Sequence, residues 1–241
     1  MTMSSDKIGH TAMVLAAGLG LRMRPLTEQT PKPLLNVAGK PIIAYGFDKL
    51  RAARVKKAIV NVHYLPSQLI AWCHTFAIPE TQISDETDAI LDTGGGIVRA
   101  LPLLGDEPFF VLNSDSFWID HETRALEKLR MTWDDSTMDC LLLLCEPANT
   151  TGYDGDGDFA RADDGSLRRQ TKAGLTYIGA YLVHPRIFKS APSGKFSMNI
   201  IWDEAIKHKR LHGLVHDGHW LHVGTPSAIN DAEKWLKQAR R

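Results

Sequence analysis

The sequence predicts an α/β fold in which a mostly parallel, mixed central sheet lies between two layers of helices. Three observations predict it. Apolar runs of strand length alternate with stretches of helical periodicity. Two of those runs end in Gly-rich or polar segments, at Gly18 and at Asn113-Ser114-Asp115. These are the positions beyond strand carboxyl ends where such sheets bind ligands. A chain of 241 residues, 44% of them hydrophobic, is also long enough to bury a sizeable core.

The elements follow in order. Residues 1–11 are polar and are expected to form a flexible terminus. Thr11 to Ala16 reads as a buried strand feeding a Gly-rich loop. Pro41 to Arg54 reads as a helix, with proline in its first turn and Ile42, Phe47 and Leu50 on an apolar face. Ala58 to Val62 is a strand and Ser67 to Phe76 a helix. Gly95 to Leu101 is a short helix opened by glycines, and Phe109 to Leu112 a strand ending at Asp115. Thr123 to Trp133 is a helix and Met138 to Leu144 a strand. Asp158 to Ala162 and Ser166 to Arg169 flank Asp163-Asp164-Gly165, a hairpin turn signal. Thr176 to Val183 is a strand, Asn199 to His208 a helix, Leu211 to His216 a strand and Pro226 to Ala239 a closing helix. No repeat or linker divides residues 1–241, so one domain is expected, its later half forming a substrate-facing wall.

Composition narrows the function. Lys and Arg number 28 and so do Asp and Glu, leaving zero formal net charge. Binding to nucleic acid or to a membrane surface relies on a broad basic field and is not expected. Cys73, Cys140 and Cys145 are too few and too scattered for a disulfide framework or a thiolate zinc site. No apolar stretch is long enough to cross a membrane. Ala12 to Leu21 carries Gly18 and Gly20 and runs into Arg22 and Arg24, unlike a secretory signal. A cytoplasmic protein is expected.

The glycine loop reads Leu15-Ala16-Ala17-Gly18-Leu19-Gly20-Leu21-Arg22-Met23-Arg24-Pro25-Leu26-Thr27, followed by Pro31-Lys32-Pro33. A strand feeding such a loop exposes backbone N–H groups that can approach phosphate oxygens closely. Arg22 and Lys32 add full positive charge, and the flanking prolines restrict the backbone at Lys32. Met23 stands where a Walker A loop needs Gly-Lys-Ser/Thr and where a dinucleotide fingerprint needs its third glycine, so neither applies.

The whole string resembles the signature of the sugar-1-phosphate nucleotidyltransferases, Leu-Ala-Ala-Gly-x-Gly-x-Arg-x-Arg-Pro-Leu-Thr followed by Pro-Lys-Pro. The resemblance extends through later landmarks over nearly all of residues 12–236. It implies a Rossmann-like three-layer fold and a nucleotide held by the backbone of Leu15, Ala16, Ala17, Gly18 and Gly20. It also implies that Arg22 grips the β- and γ-phosphates and that Lys32 meets the phosphates at the reacting centre.

Further segments fit the resemblance. Glu86, Leu91 and Asp92-Thr93-Gly94-Gly95-Gly96 look like the base-recognition loop, where triple glycine would let backbone pack against a flat base and aim N–H groups at its acceptors. The Thr-Gly-Gly-Gly-Ile form is similar to that of N-acetylmuramate-1-phosphate uridylyltransferases, whereas mannose-1-phosphate guanylyltransferases usually carry Gly-Thr-Ala-Gly. Asn113 is assigned to the nucleotide. Asp115 is assigned to catalytic Mg²⁺, a hard cation that suits a carboxylate at an exposed strand end. Ser114 replaces the usual glycine. The family's second metal-binding aspartate lies in Trp-x-Asp-x-Gly-Thr, but this chain reads Trp220-Leu221-His222-Val223-Gly224-Thr225. Imidazole is a poor Mg²⁺ ligand, so either Asp217 substitutes or Asp115 and phosphates suffice.

His212, His216, His219 and His222 do not share a helix face, because Gly213 and Gly218 interrupt them, so zinc is not expected. Asp154, Asp156 and Asp158 mimic an EF-hand start, but Phe159 and Gly165 occupy positions that need glycine and glutamate. Tyr177-Ile178-Gly179-Ala180 resembles the strand lining the sugar pocket, with Gly179 at the sugar. Asn199 is either a sugar ligand or a helix cap.

The resulting expectation is transfer of a nucleotidyl group from a nucleoside triphosphate, UTP by preference, to a sugar 1-phosphate, N-acetylmuramate 1-phosphate by preference. The alternatives are mannose-1-phosphate guanylyl transfer or a non-catalytic nucleotide-sugar binder, the latter favoured only by His222. A monomer or small homo-oligomer is expected.

Overall fold

A computed structural model describes residues 8–75 and 77–239. Its strands and helices in chain order are β1 (Thr11–Leu15), β2 (Asn36–Val37), β3 (Lys40–Pro41), α1 (Ile42–Ala52), β4 (Lys57–Val62), α2 (Pro66–Cys73), β5 (Glu80–Asp85) and α3 (Asp92–Leu104). There follow β6 (Phe109–Asn113), β7 (Ser116–Ile119), α4 (Ala125–Thr132), β8 (Cys140–Cys145), β9 (Thr150–Thr151), β10 (Phe159–Arg161) and β11 (Leu167–Arg169). The last are β12 (Thr176–Val183), α5 (Met198–Lys207), β13 (Leu211–Val215), β14 (His219–His222) and α6 (Pro226–Ala239).

The main sheet has the order β13-β8-β12-β6-β1-β4-β5. β1 pairs in parallel with β4 and β6, as β4 does with β5 and β13 with β8. β12 alone runs antiparallel, between β6 and β8. This is the mixed, mostly parallel sheet the alternation predicts.

Strand periodicity divides the core between two faces. Val14, Leu112, Leu141 and Leu143 pack with Phe47 of α1, Leu69 of α2 and Leu129 of α4. Met13, Val111, Leu142 and Leu144 pack on the other side with Ile97 of α3 and with Ile201 and Trp202 of α5. Both faces are covered, so the central strands read as continuous apolar runs rather than alternating ones. A third cluster joins Phe117 of β7 and Leu221 of β14 to Ala232 and Leu236 of α6. It belongs to a small sheet, β7-β14-β9, beside the carboxyl end of β6.

Several expectations need correcting. Residues 8–11 are anchored, not frayed: Ile8 is buried and the Gly9 amide donates to the Pro108 carbonyl at 2.8 Å. Residues 1–7, and Phe76 at the end of the second expected helix, lie outside the described residues. α3 opens at Asp92, so its glycines sit inside the first turns. β5, β7 and β14 had no expectation at all. β5 is an edge strand of mostly polar residues (ETQISD), which carries little hydrophobic signal. Among the described residues no helix is long and apolar enough to cross a membrane.

Candidate active site

The loop after β1, the end of β6 and the start of α3 meet at the carboxyl edge of the parallel strands, around a cavity of about 570 Å³. Leu15, Ala16, Ala17, Gly18, Gly20, Arg22, Lys32, Glu86, Asn113 and Asp115, the residues singled out for nucleotide, phosphate or metal, all line it. A second cavity of about 220 Å³ adjoins it and shares Leu15, Thr93 and Asn113 as walls.

The glycine loop is shaped by close approach. Gly20 has φ +63°, and a Cβ there would lie 2.9 Å from Thr27 Cγ2 and 3.1 Å from Lys32 Cβ. Only glycine holds that left-handed turn while Lys32 stays against it. Gly18 has open space where a Cβ would be, so its backbone is accessible from the cavity. The Ala16 amide is already engaged, donating to Asn61 Oδ1 at 2.6 Å.

Lys32 and Asp115 form the centre. Lys32 Nζ lies 2.9 Å from Asp115 Oδ2, with the lysine side chain 11% exposed and the aspartate 31%. Burial pushes the Asp115 carboxyl up, but Lys32, His222 and Arg22 together hold it below the ordinary carboxylate value. Asp115 is therefore an anion at neutral pH. Ser114, in the place of glycine, is tied down: its Oγ donates to the Leu15 carbonyl at 2.6 Å and fastens β6 to β1 at the cavity edge.

β14 brings the C-terminal motif to the same point. His222 pairs with Ser116 across the small sheet, and the Val223 amide donates to the Asp115 carbonyl at 3.0 Å. Burial and the nearby Lys32 and Arg22 depress the His222 imidazole, against the pull of Asp115. It is a neutral ring beside the carboxylate. Asp217 does not substitute for the missing aspartate. It lies beyond the opposite end of β14, where His219 pairs with Ile119, and its carboxylate meets Lys128 Nζ at 2.6 Å. Among the described residues no three His, Cys, Asp or Glu side chains gather into a metal-binding group. The four clustered histidines are dispersed: His216 Nε2 lies 3.1 Å from the Ile119 carbonyl and His219 stacks on Trp235.

The triple glycine works differently from the expectation. The Gly94 and Gly95 amides both donate to the Phe196 carbonyl, at 2.9 and 3.2 Å, and neither residue lines the cavity. A side chain at Gly94 would enter the Phe196 ring, and one at Gly95 would strike the Gly194 carbonyl. A Cβ at Gly96 would stand 2.7 Å from Glu86 Oε1. The glycines thus dock α3 against the 194–196 loop and against Glu86, and the amides of Gly94 and Gly95, expected to face a base, are engaged by the Phe196 carbonyl. Glu86 itself is buried at the cavity wall and accepts from Asn61 Nδ2 at 2.7 Å. Burial pushes its carboxyl above the ordinary value, although Asn61 and Arg99 pull the other way.

Asn61 was missed by sequence reasoning. The available signal was an asparagine inside the otherwise apolar strand KAIVNV, where an unpaired amide would be costly. Its two ends tie Ala16 to Glu86, so it braces the glycine loop against the acidic wall. Thr93, from the expected base-recognition loop, also lines the cavity, as does Lys195, which was not foreseen.

On the sugar side, Gly179 (φ +80°) sits at a bulge in β12, where a Cβ would lie 2.8 Å from Ser116 Oγ. It lets β12 pass close behind Asn113 and is not among the residues lining the second cavity. Asn199 does line that cavity. It is not the cap of α5, because Ser197 Oγ accepts from the Asn199 amide and fills that role.

A cavity with a basic glycine loop at one wall and an ion-paired Lys–Asp centre thus lies beside a second pocket at the carboxyl edge of the sheet. The chain belongs to the nucleotidyl transferase family, whose family model matches residues 11–154. It is 41% identical to an N-acetylmuramate alpha-1-phosphate uridylyltransferase of Caulobacter vibrioides, over 95% of this chain and 97% of that one. A protein of the same name from Neisseria meningitidis is 34% identical over 92% and 96%. A mannose-1-phosphate guanyltransferase of Aspergillus fumigatus is more distant, at 27% over 89% of this chain and 61% of its own length. In fold, a UDP-glucose pyrophosphorylase solved with UDP-glucose superposes with a TM-score of 0.77 at 19% identity, covering 97% of this chain and all of the other.

Proposed function

We propose that this protein transfers a uridylyl group from UTP to N-acetylmuramate 1-phosphate, releasing pyrophosphate. An oxygen of the sugar phosphate attacks the α-phosphorus of UTP in line. A P–O bond forms there as the bond to the β-phosphate oxygen breaks, and pyrophosphate departs with the electron pair. The attacking oxygen is already anionic, so no general base or covalent nucleophile is required. Alignment and charge neutralisation carry such reactions. The observation that supports this chemistry is the Lys32–Asp115 pair, which lines the larger cavity next to the walls it shares with the smaller one. In this reading Arg22 neutralises the leaving pyrophosphate, and Lys32 steadies the attacking and transferring oxygens. Glu86 and Asn61 bound the end of the cavity assigned to the base.

The donor set fits Mg²⁺ with a single protein carboxylate. Asp115 Oδ1 accepts from no described residue, and its side chain is partly exposed at a strand end. Mg²⁺ is content to keep waters and phosphate oxygens as its other ligands. When bound at Asp115, the ion would supply further charge neutralisation to the phosphates. Neutral His222 packs beside that carboxylate and shapes its surroundings. The near-full-length likeness to uridylyltransferases supports the choice of substrates, and a protein drawing on UTP is expected in the cytoplasm.

Pyrophosphate release from UTP, GTP, CTP and dTTP, each crossed with N-acetylmuramate, mannose and glucose 1-phosphates, tests the reading. UTP with N-acetylmuramate 1-phosphate is expected to give the highest kcat/KM. A preference for GTP with mannose 1-phosphate would overturn it.

A further inference from the structure

The smaller cavity contains one cationic side chain, Arg169, at the end of the hairpin β10–β11. Its guanidinium is held in place from several directions. Nε donates to Asp203 Oδ1 at 2.7 Å, and Nη2 to Asn199 Oδ1 at 3.0 Å and to the Asn199 carbonyl at 3.4 Å. The group also lies 4.7 Å from the Phe159 ring centre and 6.0 Å from that of Trp202. Nη1 donates to no described residue. A planar fork locked on one edge and free on the other is suited to recognising a carboxylate.

The surroundings sharpen this. Arg22, Lys32 and Asp115 line only the larger cavity, so the phosphate chemistry lies there and Arg169 is free of it. Asp203 is engaged by Arg169 itself, and Asp158, the carboxylate lining this cavity, accepts from the Tyr177 amide at 2.9 Å. The Tyr181 hydroxyl at the same wall is buried and has no hydrogen-bond partner among the described residues. A buried orphan hydroxyl marks a place where a polar ligand group completes the site. The first turn of α5, at Ser197 to Asn199, faces the same cavity and favours negative charge.

We propose that Arg169 is the specificity residue that reads a carboxylate on the sugar of the acceptor, selecting acidic sugar 1-phosphates over neutral ones. The inference rests on the reading above, because muramate differs from glucosamine by a lactyl ether that ends in a carboxylate. The sugar 1-phosphate lies with its phosphate near Lys32 and its ring past Asn113, and the carboxylate meets the free edge of the Arg169 fork.

The test is the ratio of kcat/KM for N-acetylmuramate 1-phosphate to that for N-acetylglucosamine 1-phosphate, with UTP. R169Q is expected to lower that ratio by about 10- to 100-fold, the range for a lost hydrogen bond to a charged group, with the loss falling on the KM of the acidic acceptor. R169K keeps the charge but not the fork and is expected to lower the ratio as well; it serves if R169Q fails to fold. D203N separates recognition from scaffolding: it loosens the guanidinium without removing its charge or its Asn199 contacts, and the ratio is expected to fall by less than in R169Q. An unchanged ratio in R169Q or R169K, or a loss in D203N equal to that in R169Q, overturns the proposal. A second acceptor pair, glucuronic acid and glucose 1-phosphates, distinguishes the two readings. Wild-type turnover of glucuronic acid 1-phosphate but not of N-acetylmuramate 1-phosphate overturns the substrate assignment alone, and Arg169 is then judged on the second ratio. Turnover of neither acid overturns both.

Discussion

The ammonium of Lys32 lies 2.9 Å from the carboxylate of Asp115, joining two segments 83 residues apart at the edge of the sheet. Lys32 helps hold the Asp115 carboxyl in its anionic form inside a partly closed site, and the ammonium is placed on the cavity wall where phosphate oxygens could meet it. Lys32→Ala is therefore expected to lower kcat by roughly 10²–10³ with UTP and the sugar phosphate, the usual cost of one lost transition-state contact. Steady-state pyrophosphate release measures it, with circular dichroism to confirm folding. Near-normal turnover would remove Lys32 from the chemistry.

Asn61 braces the glycine loop through Ala16 and the acidic wall through Glu86. Asn61→Ala leaves a buried backbone amide and a buried carboxyl without their partner. The expected loss is about 1–3 kcal/mol of stability for an unsatisfied group, accompanied by a raised KM for UTP. Urea unfolding together with nucleotide titration checks both. An unchanged KM would mean that the loop keeps its shape without this brace.

Gly95→Ala places a methyl group against the Gly194 carbonyl, which is backbone and cannot rotate away. Overpacking of this kind typically costs about 1–3 kcal/mol. The 194–196 loop carries Lys195, which lines the larger cavity, so substrate binding is expected to weaken with stability. Thermal melts and KM measurements on the variant test the link. A variant as stable as the wild type would show that the loop shifts freely.

Asp217 is paired with Lys128 at the protein surface, away from Asp115. Asp217→Asn is expected to change stability by no more than about 0.5 kcal/mol and to leave the metal dependence of turnover unchanged. An Mg²⁺ titration of activity decides this, and a weakened metal response would restore Asp217 as a ligand.

His216 links stability to pH. Its ring is buried, Nε2 faces the Ile119 carbonyl, and Nδ1 has no hydrogen-bond partner among the described residues, lying 3.9 Å from Asp217 Oδ1. Burial depresses its pKa below the ordinary 6.5, with Lys49 acting in the same direction and Asp120 and Asp217 against it. The unfolded chain therefore takes up a proton that the folded one does not. The contribution is fully present above 6.5 and is lost as pH falls toward the depressed folded value. His216→Gln keeps a donor for Ile119 and is expected to reduce the drop in Tm between about pH 8 and 5.5. The slope does not vanish, because His184, His212, His219 and His222 are depressed by burial too. An identical slope in the variant would show that His216 carries no linkage.

Much of the site was legible before any coordinates. The segment from Leu15 to Lys32 is contiguous, and its glycines, prolines and basic residues act through local backbone geometry. Gly20 shows this, since its left-handed turn is demanded by neighbours only a few residues away. The sheet was legible for a similar reason: strands buried on both faces carry their own hydrophobic signature, as CLLLLC in β8 does.

What stayed hidden depends on pairing between distant segments. β5 is a polar edge whose strand state is set by parallel pairing with β4. The register of β14 against β7 decides that His222 reaches Asp115 while Asp217 does not. Gly94 and Gly95 look like a base-binding loop until Phe196 and Gly194 arrive to fill the space beside them. Arg169 looks like an ordinary hairpin residue until α5 supplies Asp203 and Asn199. Local sequence determined which backbone could cradle phosphate and which side chains carry charge. The tertiary structure decided which of those charges meet, because that is set by register and by packing across many tens of residues, which no local pattern records.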